Sequence, residues 1–442
     1  MKKLFSNLFG GVGSVMLDNS DGNARSRRNC LYFYWLAAII TPITTGTYFT
    51  GLMLHFGADE LYISIIASLT SLCGLASLFS PILLEKIERR KPLLITLRAV
   101  YHIFFIGILV IVPTLPISKP AVLTLFFISV LIANLINTIS SSGLSVWHIQ
   151  NVPDEKYSNY FTLIHMGTQL IGSTIAIFAG MIVDHYTAAA ASGEASSYTA
   201  FVILRAFALA IGAVEIYTMT KIRETPYKHK DNEKLNLRLL LLPLRSKRYL
   251  KICFVYFLFV LAANLLGQYY SVYMLDICKI DYTFISLCDF LSLPIMLISM
   301  PLWSKLVNHF TWKKILPINV LGVGICWIFC MFVTSATPYY YFITTIVYKL
   351  FYPSAAAIFA YMPYKYMPEE NKTAYFSFYS SVALVFAFLG NLVGMLFMTL
   401  TSGATLNLFG TTFLNYQYIT AFQVFVYICV TVYALIALKD KN

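Results

Sequence analysis

Twelve apolar stretches of about 20 residues, separated by short polar segments, run through the 442-residue chain. About 20 helical residues cross a bilayer core, and a helix satisfies all of its own backbone hydrogen bonds there. The stretches predict an all-α membrane protein with twelve transmembrane helices. In chain order, α1 to α12 are predicted at 31–56, 61–84, 92–113, 121–148, 160–183, 199–220, 252–275, 283–304, 315–335, 339–362, 375–400 and 418–438.

The composition excludes a soluble protein. Hydrophobic residues make up 58% of the chain and charged residues only 12%, whereas soluble domains carry about 25% charged residues. A net charge of +12 in a soluble chain would suggest a nucleic-acid partner. In a membrane protein the distribution of that charge is the informative quantity, and we expect no nucleic-acid partner.

The chain repeats two of its helix boundaries. "VPDEKYSNYF" at 152–161 returns as "MPEENKTAYF" at 367–376, 215 positions later. The loop "PILLEKIERRK" at 81–91 aligns with "SKLVNHFTWKK" at 304–314, at an offset of 223. These two matches indicate an internal duplication, and two parallel halves are a recurrent plan among transporters.

The polar segments then divide the chain. The predicted parts are a cytoplasmic N-terminal segment (1–30), an N-terminal six-helix bundle (31–220), a basic cytoplasmic linker (221–251), a C-terminal six-helix bundle (252–438) and a cytoplasmic tail (439–442). Of the 32 Lys and Arg residues, 27 lie on the side of both termini, two lie in loops on the other side and three lie inside helices. Because cytoplasmic loops are rich in Lys and Arg, both termini are predicted to be cytoplasmic.

At the loop after α2 the sequence resembles the major facilitator superfamily, whose signature there is G-x-x-x-D-[RK]-x-G-x-[RK]-[RK]. Lys86, Arg90 and Lys91 match, and Glu85 takes the place of the acid, but Pro81 and Glu88 replace the usual glycines. The resemblance implies pseudo-symmetric six-helix bundles, transport by alternating access, and a central cavity lined by α1, α4, α7 and α10. The Gly-Pro-rich motif of proton-driven drug exporters is missing from α5.

The same loop contains a candidate conformational latch. Glu85 lies at a predicted helix end beside Arg90 and Lys91, where a charge pair could hold two helices in one conformation. Simple anchoring of the loop to the inner membrane surface also explains the basic residues. It does not explain the acid.

Ionisable residues inside a membrane cost at least about 2.5–3.5 kcal/mol each, so each one suggests a functional site. Lys349 lies about ten residues into α10. At the 215 offset its counterpart in α4 is Asn134, and Tyr352 corresponds to Asn137. Because the resemblance places α4 and α10 at the cavity, these four residues form the predicted substrate site.

Asp289 in α8 is the acid closest in depth to Lys349 within the same half of the chain. We expect it to couple transport to an ion as a proton carrier, or to pair with Lys349. A position near the outer headgroups without any task is the alternative.

Three further features complete the polar set. Asn264 and Gln268 lie four residues apart in α7 and are predicted to bind substrate, with hydrogen bonding between helices as the alternative. Arg98 and Glu215 match in depth and are predicted to form a structural pair. Arg205 lies near the outer end of α6, where it is expected to extend towards the headgroups.

The predicted function is secondary active transport of a small polar or amphipathic organic solute across the cytoplasmic membrane, coupled to a proton or Na⁺. The alternatives are a lipid flippase-like transporter and a membrane-embedded transferase, although H-x-x-x-x-D and D-x-D motifs are absent from the sequence. We expect a monomer that contacts membrane lipids, with no enzymatic activity, no cofactor and no metal site.

Overall fold

The computed structural model describes residues 22–74, 76, 87, 89–153, 157–193, 196–224, 242–267, 269–363, 366, 372–408 and 411–439. Their contacts divide the chain into two compact units. The first unit contains residues 1–58 and 76–233, and the second contains residues 59–75 and 234–442. The described part of α2, Glu60–Gly74, therefore belongs to the second unit, where it packs on α11.

Helices form the first unit. The described bounds are α1a at Ala24–Thr44, α1b at Gly46–His55, α3 beginning at Lys91–His102, α4 at Lys119–Ile149, α5 at Tyr157–Ala191 and α6 at Tyr198–Thr220. After His102, α3 continues as a π-helix at Ile103–Gly107, an α-turn at Ile108–Ile111 and a 3₁₀ turn at Val112–Thr114. A π-helical insertion of this kind often marks a functional position within a helix.

The second unit is also built of helices. Besides α2, it contains α7a at Lys247–Ala263, α7b at Tyr269–Val272 with a π-helix at Tyr273–Ile277, α8a at Tyr282–Leu291, α8b at Leu293–Phe310, α9 at Trp312–Cys330, α10 at Tyr339–Tyr361, α11 at Lys372–Leu400 and α12 at Asn415–Ala437. A 3₁₀ turn at Leu242–Arg245 precedes α7a.

The sequence pattern did not predict a small hairpin between α11 and α12. Strands β1 (Leu406–Leu408) and β2 (Thr411–Phe413) pair antiparallel, with Leu406 opposite Phe413 and Leu408 opposite Thr411. In the described part of the chain they are the only strands, so the fold is all-α apart from this loop.

Among the described residues, ten helices are long and apolar enough to cross a membrane. The continuous α1, α7 and α8 that hydropathy predicts are each interrupted in the structure. The interruptions lie at Thr45, at 264–267 and at Ser292. α7 is absent from the ten because its interruption leaves a first segment of only 17 residues.

Each unit has its own apolar core. In the first unit, Leu31, Leu94, Leu144 and Met219 bring together α1a, α3, α4 and α6. The core of the second unit is more aromatic and joins α7a, α9, α10, α11 and α12. Its fully or almost fully buried rings belong to Tyr249, Phe257, Phe259, Tyr375, Tyr379 and Tyr427.

Candidate functional site

Lys349 lies in the interior of α10 and is half-buried. Four residues later, Pro353 interrupts the helical hydrogen bonding because proline has no N–H to donate to the Lys349 carbonyl. The Ser299 hydroxyl of α8b donates to that carbonyl instead, at 3.3 Å. The Trp303 indole donates to the neighbouring Leu350 carbonyl at 2.7 Å. α8b therefore fixes the backbone of α10 at the position of the charge.

Asp289 lies in α8a, two residues before the end of that segment, and it is also half-buried. The Ser292 hydroxyl donates to the Asp289 carbonyl at 2.8 Å, and Pro294 is the second residue of the next segment, α8b. α8a packs against α10, which brings Asp289 and Lys349 onto neighbouring helices.

Asp289 and Lys349 do not form a direct ion pair. In the part of the chain that the structure describes, the ion pairs within 4.0 Å are Arg98–Glu215, His102–Glu215 and Lys279–Asp276. Neither the Lys349 ammonium nor the Asp289 carboxylate has a hydrogen-bond partner among the described residues. Two opposite charges inside apolar helices are thus left for another group to satisfy.

Aromatic rings lie on the same helix as Lys349. Tyr348 and Tyr352 stack with centroids 4.6 Å apart and planes 15° apart. The Phe259 ring of α7a lies 6.4 Å from Tyr352 and nearly parallel to it. Tyr352 is half-buried, so α10 combines a cation with a flat aromatic surface.

The break in α7 contains Asn264, which was predicted to face substrate. Its amide donates to the Val260 carbonyl of its own helix at 2.8 Å and so closes the end of α7a. Gly267 then adopts a φ of +48°, a conformation that glycine adopts without steric penalty. Gln268 lies outside the described residues.

Glycines of α11 hold the α7 break at close range. A Cβ at Gly390 would overlap the Leu261 carbonyl oxygen, and a Cβ at Gly394 would overlap that of Leu265. Gly390 and Gly394 form a G-x-x-x-G pattern, which lets two helix backbones approach closely. A carbonyl near the end of α7a and one within the break therefore contact α11 directly.

The counterparts of the α10 residues in the first unit have different environments. Asn134 is buried and donates to the Val130 carbonyl of α4 at 2.9 Å. Asn137 accepts a hydrogen bond from the Arg98 guanidinium at 3.3 Å. Asn137 thus belongs to a charge cluster with α3 and α6, an association that the repeat alignment did not predict.

The expected ion pair between Arg98 and Glu215 is formed, and it is part of a larger cluster of side chains. Two guanidinium nitrogens of Arg98 bond Glu215 Oε1, at 2.8 and 3.2 Å. His102 Nε2 lies 2.6 Å from Glu215 Oε2. The guanidinium also lies over the rings of Tyr101 (4.8 Å) and Phe33 (5.4 Å). The cluster therefore connects α1a, α3, α4 and α6.

The prediction that Arg205 extends to the headgroups was wrong. Its side chain is 2% exposed and donates to the Phe105 carbonyl at 2.9 Å and to the Thr44 carbonyl at 3.4 Å. Thr44 is the last residue of α1a, and Phe105 lies in the π-helix of α3. Arg205 thus satisfies carbonyls at two irregular points of the backbone.

The second unit repeats this arrangement with a neutral side chain. Gln423 of α12 is fully buried, and its amide donates to the Ala262 carbonyl at 2.9 Å, at the end of α7a. Gln423 follows Arg205 by 218 positions, and Ala262 follows Thr44 by the same 218. Gly46, with a φ of +57°, and Gly267 are 221 positions apart. Both halves therefore interrupt their first helix at the same place and cap it from their last helix.

The latch residues are only partly described, because Glu85 lies outside the described residues. Lys91 donates through Nζ to the carbonyls of Thr220 (2.8 Å) and Ile222 (2.7 Å), at the end of α6. Its backbone N–H donates to the Glu224 carboxylate at 2.8 Å. Arg90 is half-buried, and its Nε lies 3.4 Å from the Ile87 carbonyl. Lys91 thus joins α3 to α6, and a latching role for Glu85, Arg90 and Lys91 stays a prediction.

Comparison with known proteins agrees with this architecture. A sequence model of the Major Facilitator Superfamily matches residues 31–391 and 252–442. No curated protein matches the chain in sequence.

Solved structures match over nearly the whole chain. The nucleoside transporter NupG is 14% identical, with a TM-score of 0.61, covering 95% of this chain and 99% of its own. An inward-facing bacterial homologue of the iron transporter ferroportin is 14% identical, with a TM-score of 0.67 and coverages of 95% and 98%. A bacterial homologue of the human lysosomal transporter Spinster is 11% identical, with a TM-score of 0.58 and coverages of 97% and 97%. With ten helices among its described residues long and apolar enough to cross a membrane, and with this family match, the chain is a multi-pass membrane protein that belongs to the major facilitator superfamily.

Proposed function

We propose that the chain is a secondary active transporter that moves a small polar or amphipathic organic solute across the cytoplasmic membrane by alternating access. One observation carries the proposal: Lys349 and Asp289 are half-buried charges on adjacent apolar helices, and neither forms a side-chain hydrogen bond or an ion pair within 4.0 Å among the described residues. Each such charge is unfavourable by at least about 2.5–3.5 kcal/mol inside a membrane. Binding of a solute that compensates these two charges during transport explains why the charges are present.

The chemistry of the site supports a particular kind of solute. The Lys349 ammonium offers three donors to an anionic or strongly accepting group, and the Asp289 carboxylate accepts from a hydroxyl, an amine or a proton. The stacked rings of Tyr348 and Tyr352 provide a flat apolar surface on the same helix. A polar organic molecule with an acceptor group and a planar or apolar part fits these three features together.

A more amphipathic substrate is favoured by a groove in the first unit. The groove has a volume of about 330 Å³ and lies against α1a, α5 and α6. Its lining residues are Tyr32, Trp35, Leu36, Ile39, Ile171, Val214 and Thr218, which are almost entirely apolar. An acyl chain fits such a groove, so a lipid flippase-like activity is the second candidate function.

The test compares single and double substitutions at the charged site. Purified protein is screened by thermal shift against nucleosides, organic acids, amino acids, amines and lysophospholipids, and the compounds that stabilise it are used in proteoliposome counterflow. Ligand binding raises the free energy of unfolding by RT ln(1 + [L]/Kd) and thereby raises the melting temperature. We expect Lys349→Met to abolish both the ligand-dependent shift and counterflow, and Asp289→Asn to retain binding while changing its dependence on pH or Na⁺.

Stability separates this proposal from a structural role. Because the two charges attract each other only at longer range and make no direct contact, neither Lys349→Met nor Asp289→Leu breaks a hydrogen bond or a contact ion pair, and we expect both variants to melt close to the wild-type temperature. Lys279→Met is the matched control, since Lys279 forms an exposed ion pair with Asp276 at 3.0 Å that contributes little stability. Restored counterflow in the Lys349→Met, Asp289→Leu double variant would contradict the proposal.

A further inference from the structure

The apolar groove of the first unit is open along one side. α1a packs extensively on both α5 and α6, whereas α5 and α6 make few contacts with each other. α1a therefore forms the floor of the groove, and the other two helices form its sides. Gly167 of α5 makes room for the Trp35 indole on this floor, since a Cβ there would overlap Trp35 Nε1. Tyr32 and Val214, which line the groove, are exposed.

The same helix faces continue into positive charge at one end of the groove. The groove residues of α1a recur every three or four positions and so share one face. Arg25 precedes Tyr32 by seven residues, almost two full turns, and lies on this face about 10 Å further along the axis. On α6, Lys221 follows Thr218 by three residues and continues the face that carries Val214 and Thr218. Both Arg25 and Lys221 are exposed.

Hydrogen bonds hold the start of α1a against the end of α6. Asn29 Nδ2 donates to the Lys221 carbonyl at 3.4 Å, and the Arg223 N–H donates to the Ser26 hydroxyl at 2.8 Å. The Lys221 ammonium lies 4.9 Å from the centroid of the exposed Tyr217 ring. This contact keeps the charge at the apolar surface of α6 instead of in water. The two helix ends, residues 23–29 and 221–224, thus form a single rim at the groove.

The rim is strongly basic. Residues 23–29 and 221–224 contain five Lys and Arg residues and a single acid, Glu224, so the net charge of the rim is +4. Three of the five basic residues are exposed. The Glu224 carboxylate already accepts from the Lys91 N–H at 2.8 Å. Orienting helices in a membrane requires positive residues on this side, but it does not require them at the end of a groove.

The other half of the chain shows that the fold does not require an open groove here. At the junction of α7a, α11 and α12 the Phe254 ring meets Phe386 at 5.7 Å and Tyr433 at 5.5 Å, edge-on in both cases. Phe254 corresponds to Leu36 at an offset of 218, and Phe386 corresponds to Ile171 at an offset of 215. Leu36 and Ile171 line the groove. The first unit therefore has smaller side chains where the second unit has aromatic rings.

We propose that the groove and its basic rim bind one anionic phospholipid from the leaflet on the side of the rim. An acyl chain lies in the groove, and the phosphate group binds Arg25 and Lys221. The groove volume of about 330 Å³ holds an acyl chain, whereas a helix with a diameter of about 10–12 Å does not fit. The lipid is a resident ligand that binds whether or not the chain transports a solute, so the inference goes beyond the proposed function.

The headgroup decides which lipid binds. Lipid tails are as apolar as the side chains that they contact, so a groove within the bilayer does not discriminate between phospholipids with the same tails. An anionic headgroup is attracted by Lys and Arg near the membrane surface, and each such residue increases the affinity about fivefold. Arg25 and Lys221 together should therefore favour an anionic lipid over a zwitterionic one about 30-fold.

The test measures the affinity of the first lipid molecule for the delipidated full-length protein in detergent, by native mass spectrometry. Dioleoylphosphatidylglycerol is the anionic probe, and dioleoylphosphatidylcholine, with the same chains, is the zwitterionic reference. We expect wild type to prefer the anionic lipid. Arg25→Gln with Lys221→Gln should weaken binding of the anionic lipid about 30-fold and leave binding of the zwitterionic lipid unchanged.

A matched double variant controls for the loss of two charges. Arg245→Gln with Lys247→Gln removes two exposed basic residues at the start of the second unit and should keep the wild-type preference. An equal loss of preference in both double variants would show attraction to any basic surface and would overturn the proposal. Displacement of the anionic lipid by an equal concentration of inorganic phosphate would reduce the site to an anion site and would also overturn it.

A second pair of variants tests the acyl chain at unchanged net charge. Leu36→Phe with Ile171→Phe introduces the rings of the second unit and should weaken binding of the anionic lipid about tenfold, the size of a typical overpacking penalty. Leu36→Ile with Ile171→Leu conserves volume and should bind like wild type. Wild-type affinity in a ring variant with a normal melting temperature would overturn the proposal. If the ring variant does not fold, the charge variants decide. No measurement involves a transported solute, so the result does not bear on the proposed function.

Discussion

Arg205 and Lys349 show two ways in which this chain treats a positive charge within an apolar helix. Arg205 is almost completely buried and is compensated by backbone carbonyls. Lys349 is half-buried, and its ammonium group has no hydrogen bond and no ion pair within 4.0 Å in the described part of the chain. Carbonyls at irregular points of a helix need donors in any conformation, so Arg205 is structural. An ammonium without a partner is available to bind.

Arg205→Met should destabilise the protein. The substitution removes the guanidinium donors from the Thr44 and Phe105 carbonyls, and the loss of a buried hydrogen bond costs about 1–3 kcal/mol where the acceptor is left unsatisfied. Loss of the buried charge offsets part of this, so we expect a lower melting temperature and not complete unfolding. The exposed Arg245→Met is the control. A melting temperature equal to wild type would show that the two carbonyls do not depend on Arg205.

At the residue scale, the sequence predicted how deep each charged side chain lies along its helix. It did not predict which neighbouring helix the side chain faces. Arg205 was expected to reach the headgroups because it lies seven residues inside α6. In the structure the Arg205 side chain points towards α1 and α3, where its guanidinium donates to backbone carbonyls instead of to water. The Arg98–Glu215 pair was predictable because the two residues match in depth. The addition of His102 and Asn137 depended on which faces of α3 and α4 meet α6.

Interrupted helices are the main feature at the scale of the element. Helical hydrogen bonding stops at Thr45 in α1 and at Asn264 in α7, and a glycine with positive φ follows each stop. Corresponding interruptions in two repeated halves are among the best indicators of a transport site. Hydropathy cannot reveal them, because Leu265 and Leu266 keep the stretch apolar. The usable signals were Asn264, Gly267 and the threonines before Gly46.

Gly394→Ala should disturb the break in α7. A Cβ at this position would overlap the Leu265 carbonyl oxygen, so α11 must move away from the break. Overpacking of this kind costs typically about 1–3 kcal/mol. Gly172→Ala in α5 is a matched control, since its Cβ would lie 3.4 Å from the Ala38 carbonyl, an ordinary contact. Equal melting temperatures for the two variants would show that the close approach of α11 and α7 is unimportant.

At the scale of the whole molecule, the first four residues of the predicted linker, 221–224, are hydrogen-bonded to the first unit. The Arg223 carbonyl accepts from Trp147 at 2.9 Å, and its N–H donates to Ser26 at 2.8 Å. The second unit resumes with the 3₁₀ turn at Leu242, and α7a begins at Lys247, five residues earlier than hydropathy predicts. We therefore expect the Lys and Arg residues after residue 224 to determine in which orientation α7 enters the membrane.

Neutralising the eight Lys and Arg residues between 228 and 251 should misorient α7 in a fraction of chains. These positions are Lys228, Lys230, Lys234, Arg238, Arg245, Lys247, Arg248 and Lys251. Positive residues keep flanking loops on the cytoplasmic side, and removing them weakens the signal while leaving the contacts of Arg223 intact. A tag at the C-terminus, tested for accessibility from outside the cell, measures the fraction. Neutralising Lys119 and Lys279 is the control. A tag that stays wholly inside in the eightfold variant would count against the topology.

Most of the fold could be predicted because only a few backbone conformations are stable inside a bilayer. An apolar stretch of this length must satisfy its own hydrogen bonds, which makes helices almost obligatory. The repeated boundaries at 152–161 and 367–376, 215 positions apart, then indicated two halves, and the capping donors Arg205 and Gln423 follow a similar offset of 218. The hairpin at Leu406–Phe413 and the association of α2 with the second unit depended on tertiary contacts that no local pattern encodes.

The two capped breaks also differ electrically. The aligned peptide dipoles of a helix place roughly half a negative charge at its C-terminal end. At the end of α1a, Arg205 brings a full positive charge to the Thr44 carbonyl and leaves the region net positive. At the end of α7a, Gln423 brings only a neutral N–H to the Ala262 carbonyl, so the negative pole of that dipole persists. Duplication has thus kept the shape of the break while the two copies present opposite polarity to any ion or dipole that approaches them.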